Sequence, residues 1–226
     1  GLESAPQAES ITKELEGQSG QKIRYHGADM SKPDQIGELI DATVAELGAP
    51  DILVNNAGIQ HTASIENFPA EKWDAIIAIN LSSSFHTMRK VVPLMKTSGW
   101  GRIINIASTH GLVASINKAA YVAAKHGVIG LTKVVALETA ETGITVNAVC
   151  PGWVLTPLVQ KQIDDLAAAE KLSAEEASAR LLAAKQPSKR FTSVDQLGDL
   201  VVFLCSDSAS NMTGIAIPVD GGWTAQ

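Results

Sequence analysis

GRIINIASTHGLVASINKAAYVAAK, residues 101–125, contains the change of period that decides the fold. GRIINIAS (101–108) is an isoleucine-rich run of strand type, and from Ala119 the apolar positions fall at helical spacing that continues to Glu141. The same order recurs along the chain. KIRY (22–25), DILVN (51–55), ITVNAVCP (144–151) and GIAIPVD (214–220) read as further strands, separated by helical patterns. In IGELIDATVAELG the apolar residues Ile36, Leu39, Ile40, Val44 and Leu47 share one face, and Gly48 stands where a helix-terminating glycine belongs. Residues 69–96 predict a longer helix, and VDQLGDLVVFLCS a core helix near the end.

Strands separated by helices of this length require crossover connections. The expected fold is therefore α/β: a Rossmann-like, doubly wound parallel sheet with helices on both faces, in a single domain spanning residues 1–226. Such sheets bind ligands beyond the carboxyl ends of their strands. Asn55, Asn56, Ser108, Pro151 and Gly152 fall there and are expected to line one crevice. Residues 157–190, rich in alanine and charge, interrupt the pattern and read either as a helical lid over that crevice or as a solvated surface insertion.

Composition narrows the function classes. Eighteen basic against 24 acidic side chains give a net charge of -6 with no basic cluster, which argues against a nucleic-acid partner. The opening residues have neither the order of a signal peptide nor an apolar run of the ~20 residues that span a bilayer, so no membrane association and a cytoplasmic location are expected. Cys150 and Cys205 lie far apart in apolar runs and read as buried free thiols rather than a disulfide or metal pair. No metal site is expected.

Tyr121 and Lys125 are four apart on a predicted helix and project from one face. A phenol titrates near ~10 in isolation; an ammonium about 5 Å away at an effective dielectric of about 20 favours the phenolate by roughly 3 kcal/mol, about two pKa units. That shift would suit general acid–base work. Ser108 ends the preceding strand, and the intervening loop can return its hydroxyl to the phenol.

These residues, with NNAG (55–58), Asn80, Asn147, Pro151 and Gly152, Thr156 and DGGW (220–223), resemble the short-chain dehydrogenase/reductase family over essentially the whole chain. The resemblance implies a catalytic set of Asn80, Ser108, Tyr121 and Lys125. Tyrosine is then the acid/base, serine orients the substrate oxygen, lysine binds the nicotinamide ribose, and asparagine holds a water for proton relay. It further implies NAD as cofactor, with Leu2, Asp29, Met30, Asn56, Ala57, Gly58, Tyr121, Lys125, Pro151, Gly152, Val154 and Thr156 around it, and a homotetramer.

The family opens with a strand and a glycine-rich turn that carries the cofactor pyrophosphate on a helix N-terminus. None of the 18 glycines here forms that motif. The first two strands of the resembled sheet are therefore expected to be missing from this sequence, which reads as part of a longer protein. Intact mass is expected to exceed 23.8 kDa. A chain that began at Gly1 would bind dinucleotides weakly or not at all.

Gln60, His110, Lys118, Trp153, Gln162 and Trp223 surround the catalytic set in the sequence. Taken singly, His110 fits a loop histidine, Lys118 a solvated helix-entry lysine, and the tryptophans packing residues. Together they supply amide and cationic donors with flat apolar walls, which suits a small carboxylate. The resemblance assigns them to substrate binding, with Gln60, His110 and Lys118 facing the carboxylate. It implies reversible oxidation of (R)-3-hydroxybutyrate to acetoacetate. Rival readings are a reductase of acyl thioesters or sugars, or a non-catalytic binding or assembly protein on an incomplete scaffold.

Overall fold

The structure is a computed structural model and describes residues 5–225. Its elements run α1 (Ala5–Ser19), α2 (Pro33–Leu47), β1 (Ile52–Asn55), α3 (Ala70–Ile77), α4 (Ser83–Ser98), β2 (Gly101–Ile106), α5 (Ala119–Glu138), β3 (Ile144–Pro151), α6 (Pro157–Glu170), α7 (Ala174–Ala183), α8 (Val194–Cys205) and β4 (Ala216–Val219). The four strands form one parallel sheet in the order β1-β2-β3-β4.

Burial on both sides explains the apolar runs. All eight residues of β3 are buried, as parallel strands covered on two faces must be. Ile103 and Val146 face α2, α4 and α5, where Ile40, Met88, Val91, Met95 and Val135 close one core. Ile104 and Val149 face α8 and Leu204 on the other side. Helix α5 is long and apolar enough to cross a bilayer by composition, yet it packs on β3 and delivers Tyr121 and Lys125 to the sheet's carboxyl end.

Two expectations change, and one helix is added. Residues 22–25 are extended but form no strand. A strand is defined by ladder bonds, and the described sheet ends at β1, so this segment has no neighbour there. Its groups go elsewhere: the Ile23 amide donates to Glu16 Oε1 at 3.0 Å and the Arg24 guanidinium to Glu46 Oε2 at 2.9 Å. The expected helix over 69–96 is divided, because a π-helical segment, Ala78–Ser82, separates α3 from α4. Finally, α1 was not foreseen: its Ile11 and Leu15 remain 47% and 44% exposed, so no apolar stripe marks it. At the sheet edge, Ile52 and Val54 of β1 are also about half exposed.

Candidate active site

The site begins where β2 ends. Ser108 caps a 3-10 turn, Thr109–Gly111, its Oγ accepting the His110 amide at 3.1 Å. That turn lies directly on α5. A Cβ placed on Gly111 would stand 2.7 Å from Ile129 Cδ1 and 2.8 Å from the Lys125 carbonyl, so only glycine permits this approach. Close packing brings Ser108 and Tyr121 into one wall, as the spacing suggests, near enough for the Ser108 hydroxyl to pull the phenol's pKa down in part.

Lys125 behaves differently from expectation. Its Nζ donates to the Ile106 carbonyl at 2.7 Å and lies 5.6 Å from the centroid of the Tyr121 ring. Burial holds the ammonium down to about 8. The phenol is not lowered; burial raises it, and the Ser108 hydrogen bond only partly opposes this. Proximity of the ammonium alone would favour the phenolate, but burial disfavours the charged form of both groups and outweighs it.

Asn80 sits in the π-helical segment, 2% exposed. Its Oδ1 accepts the Ile59 amide at 2.9 Å and its Nδ2 donates to the Ile59 carbonyl at 2.9 Å. The side chain thus fixes the loop that follows β1, and it packs near Gly58. Such widened turns recur at functional sites.

A crevice of about 760 Å³ opens beyond the strand ends, lined by Val54, Asn56, Gly58, Ser108, Tyr121, Lys125, Pro151, Gly152, Val154 and Thr156 on one side and by α8 on the other. Asn55 does not line it. Its amide is held inside, donating to Asn105 Oδ1 at 2.8 Å and accepting from Thr87 Oγ1 at 2.8 Å, because a side chain within β1 alternates away from the mouth. Ala57, Asp29 and Met30 are also absent from its wall. The Asp29 carboxylate is engaged by the Ser31 amide and hydroxyl. Leu2 lies outside the described residues.

This crevice fits a nicotinamide cofactor: its size is that of an organic-ligand site, and at its floor Lys125 keeps donors beyond the one given to Ile106. Among the described residues no cluster of His, Cys, Asp or Glu could hold a metal.

A smaller cavity of about 50 Å³ adjoins, walled by Gln60, Ser108, Thr109, His110, Lys118, Tyr121, Gly152, Trp153, Leu158, Val159, Gln162 and Trp223. All six residues singled out for substrate contact are here. Lys118 Nζ donates to Gln162 Oε1 at 3.3 Å and lies 5.2 Å from the Trp153 ring centroid. Burial, then the neighbouring Lys185 charge, lowers its ammonium to about 8. Burial and the Lys118, Lys185 and His126 charges push His110 down to about 3, so its ring is neutral. His110 Nε2 pairs with Ser115 Oγ at 3.0 Å, and its ring meets Tyr121 and Trp223 edge-on.

Three buried polar groups in this wall, Gln60 Nε2, Thr109 Oγ1 and Trp153 Nε1, have no hydrogen-bond partner in the protein. Unsatisfied buried donors are costly, and an acceptor-rich ligand would satisfy them. Helices α6 and α7 close the roof, packing Val159, Ile163, Ala177 and Leu182 onto the two tryptophans. An outer recess of about 260 Å³, bounded by His61, Thr62, Lys161 and Asp165, shares Gln60, Leu158 and Gln162 with the inner cavity.

Sequence reasoning passed over Thr109, Leu158 and Val159 as wall residues. Leu158 was findable, because Pro157 opens α6 and residues 158 and 162 then share a face.

Residues 3–224 match the family model described as enoyl-(acyl carrier protein) reductase. A D-beta-hydroxybutyrate dehydrogenase of Cupriavidus necator is 60% identical over 211 residues, covering 92% of this chain and 82% of that protein. One from Rhizobium meliloti is 52% identical over 226 residues, covering 100% and 88%. Among solved structures, L-sorbose reductase from Gluconobacter frateurii, complexed with NADPH and L-sorbose, superposes with a TM-score of 0.93 at 27% identity, covering 99% of this chain and 85% of that one. By the family model and by these relatives, the chain belongs to the short-chain dehydrogenase/reductase family.

Proposed function

We propose that the protein catalyses the NAD-dependent, reversible oxidation of (R)-3-hydroxybutyrate to acetoacetate. The observation that carries this reading is a single small cavity walled both by Ser108 and Tyr121 and by Lys118, Gln60 and Gln162. A two-ended ligand, with an alcohol to oxidise and a carboxylate to anchor, fits that wall. The relatives named D-beta-hydroxybutyrate dehydrogenase support the same assignment.

In the proposed reaction, Lys118 and the free Gln60 amide donor hold the carboxylate by charge-assisted and neutral hydrogen bonds. This fixes C3 in one orientation, a positioning effect. Ser108 donates to the C3 oxygen, and Tyr121, once its raised phenol has given up its own proton, takes the hydroxyl proton as the C3–O bond gains its second order. Asn80 keeps the loop after β1 in place beside this centre, and by family resemblance holds the water through which the proton leaves. Residues of the larger crevice, Lys125, Gly152 and Thr156 among them, would hold a nicotinamide, which would supply the hydride acceptor for C3. In reduction Tyr121 returns its proton to the carbonyl oxygen. Neutral His110, its Nε2 paired with the Ser115 hydroxyl, shapes this wall without adding charge.

NAD rather than NADP is proposed on the family resemblance, Leu2 offering no cation for a 2′-phosphate; related solved structures hold NADPH. Residues 157–190 are proposed as the substrate lid and the whole chain as one domain. A homotetramer is proposed, with α4 and α5 as one interface, since Phe85, Val134 and Leu137 on these helices are 45%, 51% and 79% exposed; light scattering tests it. A cytoplasmic location is proposed from the two free thiols.

A carrier-bound thioester would need an open approach, whereas the two tryptophans and α6 around the inner cavity argue for a small substrate. The deciding experiment offers the purified protein (R)-3-hydroxybutyrate, a sugar alcohol and a 3-hydroxyacyl thioester, each with NAD and with NADP. Preferred turnover of hydroxybutyrate with NAD is expected. Preference for either rival substrate overturns the reading.

A further inference from the structure

The cavity wall formed by Trp153 is held by a residue that never reaches the cavity. Gln186, just beyond α7, is 1% exposed and absent from the lining of the substrate space. Its Oε1 accepts the Trp153 amide at 2.9 Å, and its Nε2 donates to the Arg190 carbonyl in a short hydrogen bond. Trp153 is secured on its other side as well, its carbonyl accepting the Thr192 amide at 2.9 Å. Both backbone polar groups of this tryptophan therefore depend on the segment 186–192.

The same side chain lies between two glycines, its carboxamide against Gly152 and its Cγ, beside Ser188, against Gly221. A Cβ on Gly152 would stand 2.6 Å from Gln186 Oε1 and 2.8 Å from Asp220 Cα. One on Gly221, at φ +58, would stand 2.7 Å from Gln186 Cγ. Close approach from both sides lets one side chain set the spacing between the end of β3, which leads into Trp153, and the turn that carries Trp223. Asp220 completes that turn, its carboxylate accepting from the Gly222 and Thr224 amides at 3.0 and 2.8 Å. The two indoles meet with centroids 5.6 Å apart and planes tilted 34°.

We propose that Gln186 is a positioning and specificity-determining residue, whose carboxamide fixes the Trp153–Trp223 wall and so limits the substrate space to a four-carbon acid. The inference rests on the functional reading above. A cavity of about 50 Å³ has little slack, so a wall freed to move admits longer chains before it disturbs the reacting oxygen.

Two variants test this. Gln186→Met keeps the volume and loses both hydrogen bonds; Gln186→Glu keeps an acceptor for the Trp153 amide and loses the donor to Arg190. The far-ultraviolet circular dichroism couplet of the paired indoles, cofactor affinity, and kcat and KM for (R)-3-hydroxybutyrate and (R)-3-hydroxypentanoate are measured. For Gln186→Met the couplet is expected to weaken and KM for hydroxybutyrate to rise about tenfold, with a smaller change in kcat. The preference for the four-carbon acid should fall about fivefold, on the scale of one methylene in an apolar pocket. Gln186→Glu should lie between this variant and the native protein, and its near-identical shape keeps the test open if the Met variant folds poorly. An unchanged couplet and preference, or a proportional loss of kcat and cofactor affinity with preference intact, overturns the proposal. If the native protein does not oxidise hydroxybutyrate, the functional reading fails, while the couplet still decides whether Gln186 holds the indoles.

Discussion

Replacing Lys118 with methionine removes one charge and keeps the stem that lies against Trp153. In the native cavity the ammonium has one long hydrogen bond, 3.3 Å to Gln162 Oε1, and is drawn down to about 8 by burial and by Lys185. A carboxylate arriving there forms the stronger, charge-assisted contact. Hydrogen bonds to charged groups contribute about 1.5–3 kcal/mol, so KM for hydroxybutyrate should rise about 10- to 150-fold. Because the contact holds the same carboxylate before and during reaction, kcat and cofactor affinity should change far less.

The pH dependence gives an independent sign. Lys118 is cationic below about 8 and loses its proton above it, so native KM should be level on the acid side and climb toward about tenfold per pH unit on the alkaline side. The methionine variant should show no such climb. Lys125, also near 8 through burial, remains in the variant; its titration acts beside Tyr121 and belongs in kcat. Steady-state kinetics at saturating NAD across neutral and alkaline pH read all of this. A variant KM within about threefold of native, or a native KM level throughout, refutes the carboxylate role.

Other expectations follow from the packing. Gly111→Ala forces a methyl against Ile129 and the Lys125 carbonyl; it should separate Ser108 from Tyr121, lower kcat/KM at least about tenfold and cost about 1–3 kcal/mol in denaturant melts. Asn105→Ala breaks a buried chain in which Asn105 accepts from Asn55 and donates to Thr132 Oγ1 at 2.9 Å; leaving these partners unsatisfied should cost about 1–3 kcal/mol by the same measurement. Cys150 is 0% exposed and burial pushes its thiol up to about 11, so a disulfide-exchange reagent should leave it unmodified until the protein unfolds.

Much of this arrangement was legible because the period of the sequence is a direct record of which faces are buried. The run ITVNAVCP is a strand over all eight of its residues, since both faces are covered. Tyr121 and Lys125 stood out through helical spacing, and Ser108 through the end of a strand. What escaped depended on partners distant in sequence. KIRY has strand composition, but composition cannot supply a neighbour. The break at Asn80 coincides with its bonds to Ile59, twenty-one residues away. The raised phenol of Tyr121 reflects desolvation, which spacing cannot report. Gln186 was invisible for the same reason: its importance lies in Trp153, Gly152 and Gly221, and nothing adjacent in the sequence marks it.

The central claim is that Tyr121 exchanges the substrate proton within a cavity that holds a short hydroxy acid. The most direct test compares native protein with Tyr121→Phe for oxidation of (R)-3-hydroxybutyrate, following nicotinamide reduction, with hydroxybutyrate binding measured separately by calorimetry. Loss of general acid–base catalysis should lower kcat by about 10²–10⁴ while binding stays within about threefold. A variant that keeps more than about a tenth of native turnover contradicts the account.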